Sequence, residues 1–375
     1  MTVYLDSGAT TLQKPPSVAR AMAMAVSRMA SPGRGGHRPS MLAAETAFLC
    51  RQTAAELFHV EELENVVFTC SATHALNLAI KSVVAPGDTV VVSGYEHNAV
   101  TRPLQALGCT IRVAQGKLFN QGAVLADFDR LITPEVSCVI CTHVSNVFGF
   151  ILPVSEIAEL CRTRRVPLIL DASQSAGVLP VHMDELGCAY VGMPGHKGLY
   201  GPQGIGLLLC GKGQMPQPLM EGGTGSLSNL QGMPDFLPDR LEAGTHNVPG
   251  IAGLLEGIRY VRARGEAAIL KRERLLTAQA VRRLSGLPGV TVYASSDPEI
   301  QTGVVSFRVE GKDCEEIGER LGQKNIAVRT GLHCAPFAHR SAGTLETGTV
   351  RVSFSDFNHP GEVGQLVSAV AQIIK

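Results

Sequence analysis

The chain lacks an excess of charge of either sign: Lys+Arg and Asp+Glu are 33 each in 375 residues. No net field therefore favours nucleic acid or an anionic lipid surface, and any partner must be recognised by a local site. No stretch approaches the roughly 18 to 20 continuous apolar residues of a membrane span. The N-terminus Met1-Thr2-Val3-Tyr4-Leu5-Asp6 has no basic region followed by an apolar one, so the expected location is the cytoplasm. Ten cysteines fall short of disulfide-scaffold density in a chain of this length. There is no internal repeat and no low-complexity segment. With 45% hydrophobic and 18% charged residues, the chain has the apolar area a folded core needs, which excludes intrinsic disorder.

Glycine is what the chain has in excess. Its 40 glycines make roughly 11% of the residues against an average near 7%. They follow no period, which excludes collagen, and they point to many places where backbone turns with positive φ or comes close to a ligand. The length predicts one large domain with a smaller companion. Between about residues 65 and 210, β-branched runs (66–69, 89–93, 136–142, 166–170, 190–192, 205–209) alternate with helical patterns (73–84, 99–107, 154–164). This alternation predicts an α/β domain with a mainly parallel, buried sheet and ligands off the carboxyl ends of its strands. A long connecting helix over 251–284, broken near Gly265, leads to a second α/β pattern: strands 303–309, 326–329 and 349–353, with helices 313–323 and 360–374. The arginines from Arg259 to Arg283 read as a solvated helix face. Cys138 and Cys141 form a CxxC inside a strand, where residues three apart face opposite ways, so they are not expected to share a metal or form a redox pair.

Two strand-end features carry chemistry. Asp171 ends the run Val166-Pro167-Leu168-Ile169-Leu170, and Lys197 sits in Gly195-His196-Lys197-Gly198-Leu199-Tyr200-Gly201 ahead of another strand. Asp171 alone reads equally well as a helix cap. A solvated lysine, by contrast, needs no wrapping of glycines. Together they suit a pyridoxal phosphate (PLP) site, in which a lysine forms the Schiff base and an acid pairs with the pyridinium nitrogen. The segment Cys70-Ser71-Ala72-Thr73, opening a helix after strand 66–69, would suit a phosphate, although Ser71 or Thr73 could simply cap that helix.

Seven segments in order extend the pattern: Tyr4-Leu5-Asp6-Ser7-Gly8-Ala9-Thr10-Thr11, Glu96-His97-Asn98, His143-Val144-Ser145-Asn146-Val147-Phe148-Gly149, Asp171-Ala172-Ser173-Gln174, His196-Lys197, Glu242-Ala243-Gly244-Thr245 and Arg329-Thr330-Gly331-Leu332-His333-Cys334-Ala335. On these the chain resembles the class V aminotransferase-fold PLP enzymes, in their cysteine desulfurase and selenocysteine lyase branch. The resemblance implies PLP-dependent transferase fold type I. It divides the chain into an N-terminal segment (1–15) packing on the small domain and active site, a large cofactor-binding domain (16–250) and a small C-terminal α/β domain (251–375) that carries the Cys334 loop.

It also implies roles. Lys197 would be the Schiff-base lysine and proton shuttle, Asp171 the partner of the ring nitrogen, and Gln174 the partner of the phenolic oxygen. His97 would stack on the ring and assist proton transfer. Ala72, Thr73 and His196 would lie at the cofactor, Thr73 and His196 holding its phosphate, and Thr245 would reach it from a neighbouring subunit of a homodimer. Gly8, Ala9, Asn146 and Arg329 would border the substrate, Asn146 touching cofactor as well. Arg351 would clamp the substrate carboxylate as a planar bidentate donor; the alternative is an inward strand arginine paired with an acid. Cys334 would take sulfur from cysteine as a persulfide, leaving alanine, and hand it to an acceptor, which in short-loop members is a partner protein. Free cysteine has a pKa of about 8.5, so Arg329, or His333 when protonated, would favour its thiolate. No metal is expected. The alternatives are a selenocysteine lyase, and a class V aminotransferase or epimerase in which Cys334 is incidental. A catalytically silent binding module has no need of Lys197, Asp171, Gln174 and Cys334 together.

The chain also departs from the pattern of the family it resembles. His74 stands where a glutamate follows the phosphate-site threonine, Pro194 where a serine precedes Gly-His-Lys, and the loop after Lys197 is one residue longer. A divergent subgroup is expected, its phosphate contacts redistributed among Thr73, His74 and backbone amides.

Overall fold

A computed structural model describes residues 2–33 and 35–375. Its centre is a seven-stranded sheet in the order Val66–Thr69, Gly206–Cys210, Tyr190–Pro194, Leu168–Asp171, Val136–Thr142, Thr89–Ser93, Thr110–Ala114. Gly206–Cys210 is antiparallel to both of its neighbours, and every other pairing is parallel. Valine, isoleucine and leucine fill the interior strands because helices cover both faces and leave no side for polar residues. Cys138 packs with Val90 and Ile140 on one face and Cys141 with Val91 and Val139 on the other, as period-2 geometry requires.

Strand Thr110–Ala114 went unpredicted. It lies at the sheet edge, half-exposed, with Arg112 reaching Thr133 and Glu135 at 2.7 Å each, so it lacks the apolar run of a buried strand. Pro167 has no amide to give a ladder, and the strand predicted from Val166 begins at Leu168 and takes in Asp171 as its last residue.

The chain then runs through helices Val248–Arg264 and Glu266–Leu284, separated at Gly265, whose φ is 81°. A four-stranded sheet follows, antiparallel throughout, in the order Arg329–Gly331, Thr349–Ser353, Val304–Val309, Val290–Tyr293. The single strand predicted over 326–329 is two: Ile326–Ala327 pairs in parallel with Val3–Tyr4, and Arg329–Gly331 joins the larger sheet. Residues 3–8 are thereby tied to the C-terminal part of the chain, with the Ser353 amide donating to Leu5 O at 2.8 Å and the Gly8 amide to Ser353 Oγ at 2.7 Å.

Two glycines let the segments beyond Leu168–Asp171 and Tyr190–Pro194 touch. A Cβ at Gly198 would stand 2.4 Å from Ala176 O, and one at Gly177, where φ is 81°, would stand 2.4 Å from Gly198 O. The backbone that carries Lys197 is thus pressed against the turn after Asp171, which fixes the distance between the two groups. Among the described residues, no helix is long and apolar enough to cross a membrane.

Candidate active site

The carboxyl ends of the parallel strands converge on a cavity of about 230 Å³. Strand Leu168–Asp171 ends in it with Asp171, which is buried and accepts the Ser173 amide at 2.9 Å. Strand Tyr190–Pro194 delivers His196 and Lys197, Val136–Thr142 leads to Asn146, and Thr89–Ser93 leads to His97. Helix Ala72–Val83 points its N-terminus at the same space, with Ala72 and Thr73 on the wall and Ser71 Oγ capping the His74 amide at 3.2 Å. From the distant N- and C-terminal segments come Gly8, Ala9, Arg329, Cys334 and Arg351. Of the residues expected at the site, Thr245 and His74 are elsewhere: both border a separate hollow of about 180 Å³, and Thr245 is exposed.

Lys197 keeps part of its surface open to the cavity, yet protein encloses it on all sides. Burial pulls its pKa down to about 8, against Asp171, which pulls it up. The lysine is therefore poised to hold or release a proton near neutrality. Burial also lowers His97, and its Nδ1 accepts the Ala99 amide at 3.0 Å, so the neutral ring carries its proton on Nε2. His196, half-buried beside Lys197, is pushed down to about 4 by desolvation and by that neighbouring charge, and its Nδ1 has no partner among the described residues.

Arg351 is buried at 2% exposure, and it is an inward strand arginine paired with an acid at the wall of the cavity. Its Nη2 donates to Asp6 Oδ1 at 2.7 Å, its Nη1 donates to Asn146 O at 2.8 Å, and its Nε has no partner among the described residues. Asp6 lies inside the recognised N-terminal segment, but only the fold brings it from 345 positions away to that guanidinium. Gln174 Nε2 donates to Gly8 O at 2.9 Å and so holds the N-terminal segment against the cavity wall.

Cys334 is exposed and sits at the tip of a strained turn. His333 and Cys334 both have positive φ, 49° and 57°, just after Gly331 at 90°. Each such residue other than glycine costs roughly 1–3 kcal/mol and persists only where its surroundings hold it. Here the Asn98 amide donates to Cys334 O at 2.7 Å and Asn146 Nδ2 to His333 O at 2.8 Å.

Two expectations are corrected. His333 is not a cation beside the thiol, because burial pushes its pKa down to about 2; it is neutral, with Nε2 3.1 Å from Thr349 Oγ1. Arg329, exposed at the cavity rim, is the remaining cationic neighbour expected for Cys334. Likewise His74 does not reach the cavity. Its Nδ1 accepts the Cys70 amide at 3.4 Å, and its ring borders the hollow that holds Thr245. Pro194 does line the cavity, with no hydroxyl to offer. Ser71 and Ser173 line it without having been assigned a role there. Both stood inside noted segments, where Thr73, Asp171 and Gln174 drew the functional reading.

A larger hollow of about 640 Å³ lies elsewhere, among His59, Arg162, Asp184 and Lys212, and holds none of the strand-end groups. Beside it His59, His182 and Glu185 bring potential ligand atoms within 4.8 Å of one another. The two imidazoles stack with centroids 3.8 Å apart and planes 4° from parallel. An ion must lie in the plane of each ring it binds, so this stack is a packing contact and not a shared metal site.

A lysine and a carboxylate at adjacent strand ends, beneath a helix N-terminus, on a mainly parallel sheet with a smaller C-terminal sheet beside it, define the aminotransferase-type fold I. The family profile described as Aminotransferase class-V matches residues 3–366. A cysteine desulfurase of Yersinia pseudotuberculosis is 33% identical over all of this chain and 93% of its own length. A probable cysteine desulfurase of Mycolicibacterium paratuberculosis is 31% identical over 99% of this chain, which spans only 55% of that longer relative. The solved apo structure of the cysteine desulfurase from Thermococcus onnurineus NA1 superposes with a TM-score of 0.91 at 31% identity, covering 100% of this chain and 94% of that one. The chain belongs to the class V aminotransferase family, in its cysteine desulfurase branch.

Proposed function

We propose that the protein is a PLP-dependent cysteine desulfurase that converts L-cysteine to L-alanine and carries the sulfur as a persulfide on Cys334. The observation that carries this reading is that one cavity joins Lys197, Asp171, Arg351 and an exposed Cys334. The donor set fits the cofactor. A buried carboxylate suits a ring nitrogen, and the helix N-terminus with Thr73 and the unpartnered His196 Nδ1 suits a phosphate. His97 offers a ring face and Gln174 a side-chain amide. When bound, PLP supplies an electron sink for charge leaving the substrate carbon.

The chain's own residues do the rest. Arg351 has a free Nε donor for the substrate carboxylate, with Asp6 and Asn146 O fixing its plane. Lys197, with a pKa near 8, takes the Cα proton and returns one. Cys334, as thiolate, attacks the sulfur of the bound cysteine: the S–S bond forms as the Cβ–S bond breaks, and the electron pair passes to carbon, which is protonated to alanine. Sulfur then leaves the exposed Cys334 for an acceptor. In an assay of L-cysteine with the PLP-loaded protein, alanine is expected in a burst without reductant and continuously, with sulfide, when a thiol reductant clears the persulfide. If no alanine forms under either condition, the reading fails.

The reading includes a homodimer. Met24, Met41 and Phe48 on helices Pro16–Arg28 and Arg38–Phe58 are 45%, 62% and 55% exposed, and Met220, Leu230 and Phe236 add apolar surface. A second copy would cover that surface and bring Thr245 to its neighbour's phosphate site. Sedimentation velocity is expected to give twice the 39.7 kDa chain mass; a fully active monomer would refute the arrangement.

A further inference from the structure

Beside Lys197 lies a second, smaller chamber of about 30 Å³. Gly8, Gln174 and Lys197 line both it and the active-site cavity, so the two spaces share a wall. Its other polar walls include the hydroxyls of Ser7, Thr11 and Thr302 and the carboxyl of Glu273, from helix Glu266–Leu284. A chamber of this size with polar groups around it has room for one or two water molecules.

Glu273 is buried at 6% exposure, where an apolar residue would fill the space without the cost of desolvating a carboxyl. The fold makes room for that carboxyl: a Cβ at Gly303 would stand 2.6 Å from its Oε2, and the Gly303 amide donates to it. Its neighbours on the helix are turned away, Arg272 to Asn358 O at 2.7 Å and Arg274 to Gln301 O at 3.0 Å. Asp356, held by Tyr260 and Arg264 of the preceding helix, is the charge that acts on it, and Tyr200, from the loop after Lys197, is the other titratable group beside it. Burial and Asp356 together push the Glu273 pKa up to about 8, the value to which burial pulls the Lys197 amine down. Two groups so matched exchange a proton at little cost.

We propose that Glu273 is the proton-exchange partner of Lys197, acting through water in the chamber they both line and not through any contact with substrate. The lysine ammonium gives a proton to the water as the water gives one to the carboxylate, leaving a neutral amine and a neutral acid; the reverse step restores both charges. Lys197 can thereby discharge and regain a proton without using the substrate side of the site. The inference rests on the desulfurase reading for its kinetic consequence, but not for the shared proton.

The test has two parts, both on the full-length protein. In the cofactor-free protein, the carboxyl stretch that Glu273→Gln removes from the infrared spectrum marks Glu273, and its pH titration is compared between wild type and Lys197→Ala. Loss of the lysine cation is expected to raise the Glu273 midpoint by about one pH unit, the pull of a charge one water away. In the PLP-loaded protein, cysteine is turned over in deuterium oxide and the alanine is analysed for deuterium at Cα. Glu273→Gln keeps the shape but takes up no proton, so it is expected to return the substrate's own protium about three-fold more often than the wild type, with kcat down about ten-fold and KM unchanged. A packing role alone would leave the isotope content where it was. Glu273→Asp, which moves the infrared band instead of removing it, serves if the glutamine variant folds poorly. A Glu273 midpoint indifferent to Lys197→Ala, or an isotope content indifferent to the change at 273, overturns the proposal. If the wild type forms no alanine, the desulfurase reading fails, and the infrared titration alone still decides whether the two groups share a proton.

Discussion

A Lys197→Ala protein purified in the presence of pyridoxal phosphate is expected to be colourless and to form alanine from cysteine about 10²–10⁴-fold more slowly than the parent, the usual contribution of one positioned acid–base group. Among the described residues, Lys197 is the only lysine that lines the cavity. Lys14, another partly buried lysine with a lowered pKa, donates its Nζ to Thr11 Oγ1 at 2.9 Å and does not line the cavity, so no second amine stands ready to replace it. The pH dependence follows from the sign of the shift. Burial holds the Lys197 amine at a pKa of about 8, so the neutral, nucleophilic form grows as pH rises toward that value and dominates above it. Capture of added PLP by the cofactor-free protein, followed by visible absorbance, is expected to speed up with pH through the same range and then level off. A Lys197→Ala variant that stays yellow and active would show that the amine is elsewhere, and the assignment of the cavity would go with it.

Cys334→Ser is expected to retain the colour of the bound cofactor and to lose persulfide formation entirely. Oxygen replaces sulfur in the same turn, so the cavity and its polar contacts stay in place while the nucleophile disappears. Mass spectrometry of peptides from protein treated with cysteine is the measurement, and a gain of one sulfur on the peptide containing Cys334 is the wild-type result. Cys70 is the informative control, because it is the other exposed cysteine in the described structure and borders the hollow with His74. Sulfur appearing on Cys70 of the wild-type protein as strongly as on Cys334, or persulfide surviving Cys334→Ser, would remove Cys334 from the mechanism. The buried cysteines are poor competitors: burial raises Cys50 and Cys161 to about 12, which leaves almost no thiolate near neutrality.

The parts of the fold that the sequence made legible are those where one local rule governs. Strands Val66–Thr69, Thr89–Ser93 and Val136–Thr142 are continuous apolar runs because both faces of that sheet are covered, and helix Val154–Arg164 has its apolar stripe ended by Arg165 in the left-handed region. The edge strand Thr110–Ala114 and the terminal strand Val290–Tyr293 were not legible, since partial exposure dilutes their hydrophobic pattern. Residues 326–331 misled for another reason: a single run of strand-like residues serves two different sheets, and nothing local marks the division at Val328.

The same division runs through the site. Lys197 and Asp171 were legible because their neighbours, a glycine-rich loop and a buried strand, are improbable for solvated groups. His74 and His333 were assigned wrongly because a histidine's direction and charge depend on what packs around it. A helix turn sent the first into another hollow, and burial kept the second neutral.

By itself, then, the order of residues determined the alternation of strand and helix, the strand-end acid and lysine, and the family, because each of these is written in short stretches of chain. Only the tertiary structure decided that Asp6 meets Arg351, that one asparagine ties that arginine to the turn bearing Cys334, and that His333 is neutral. Those outcomes depend on contacts between segments as many as 345 positions apart and on how much water the fold leaves around each charge, and neither quantity is a property of any local stretch.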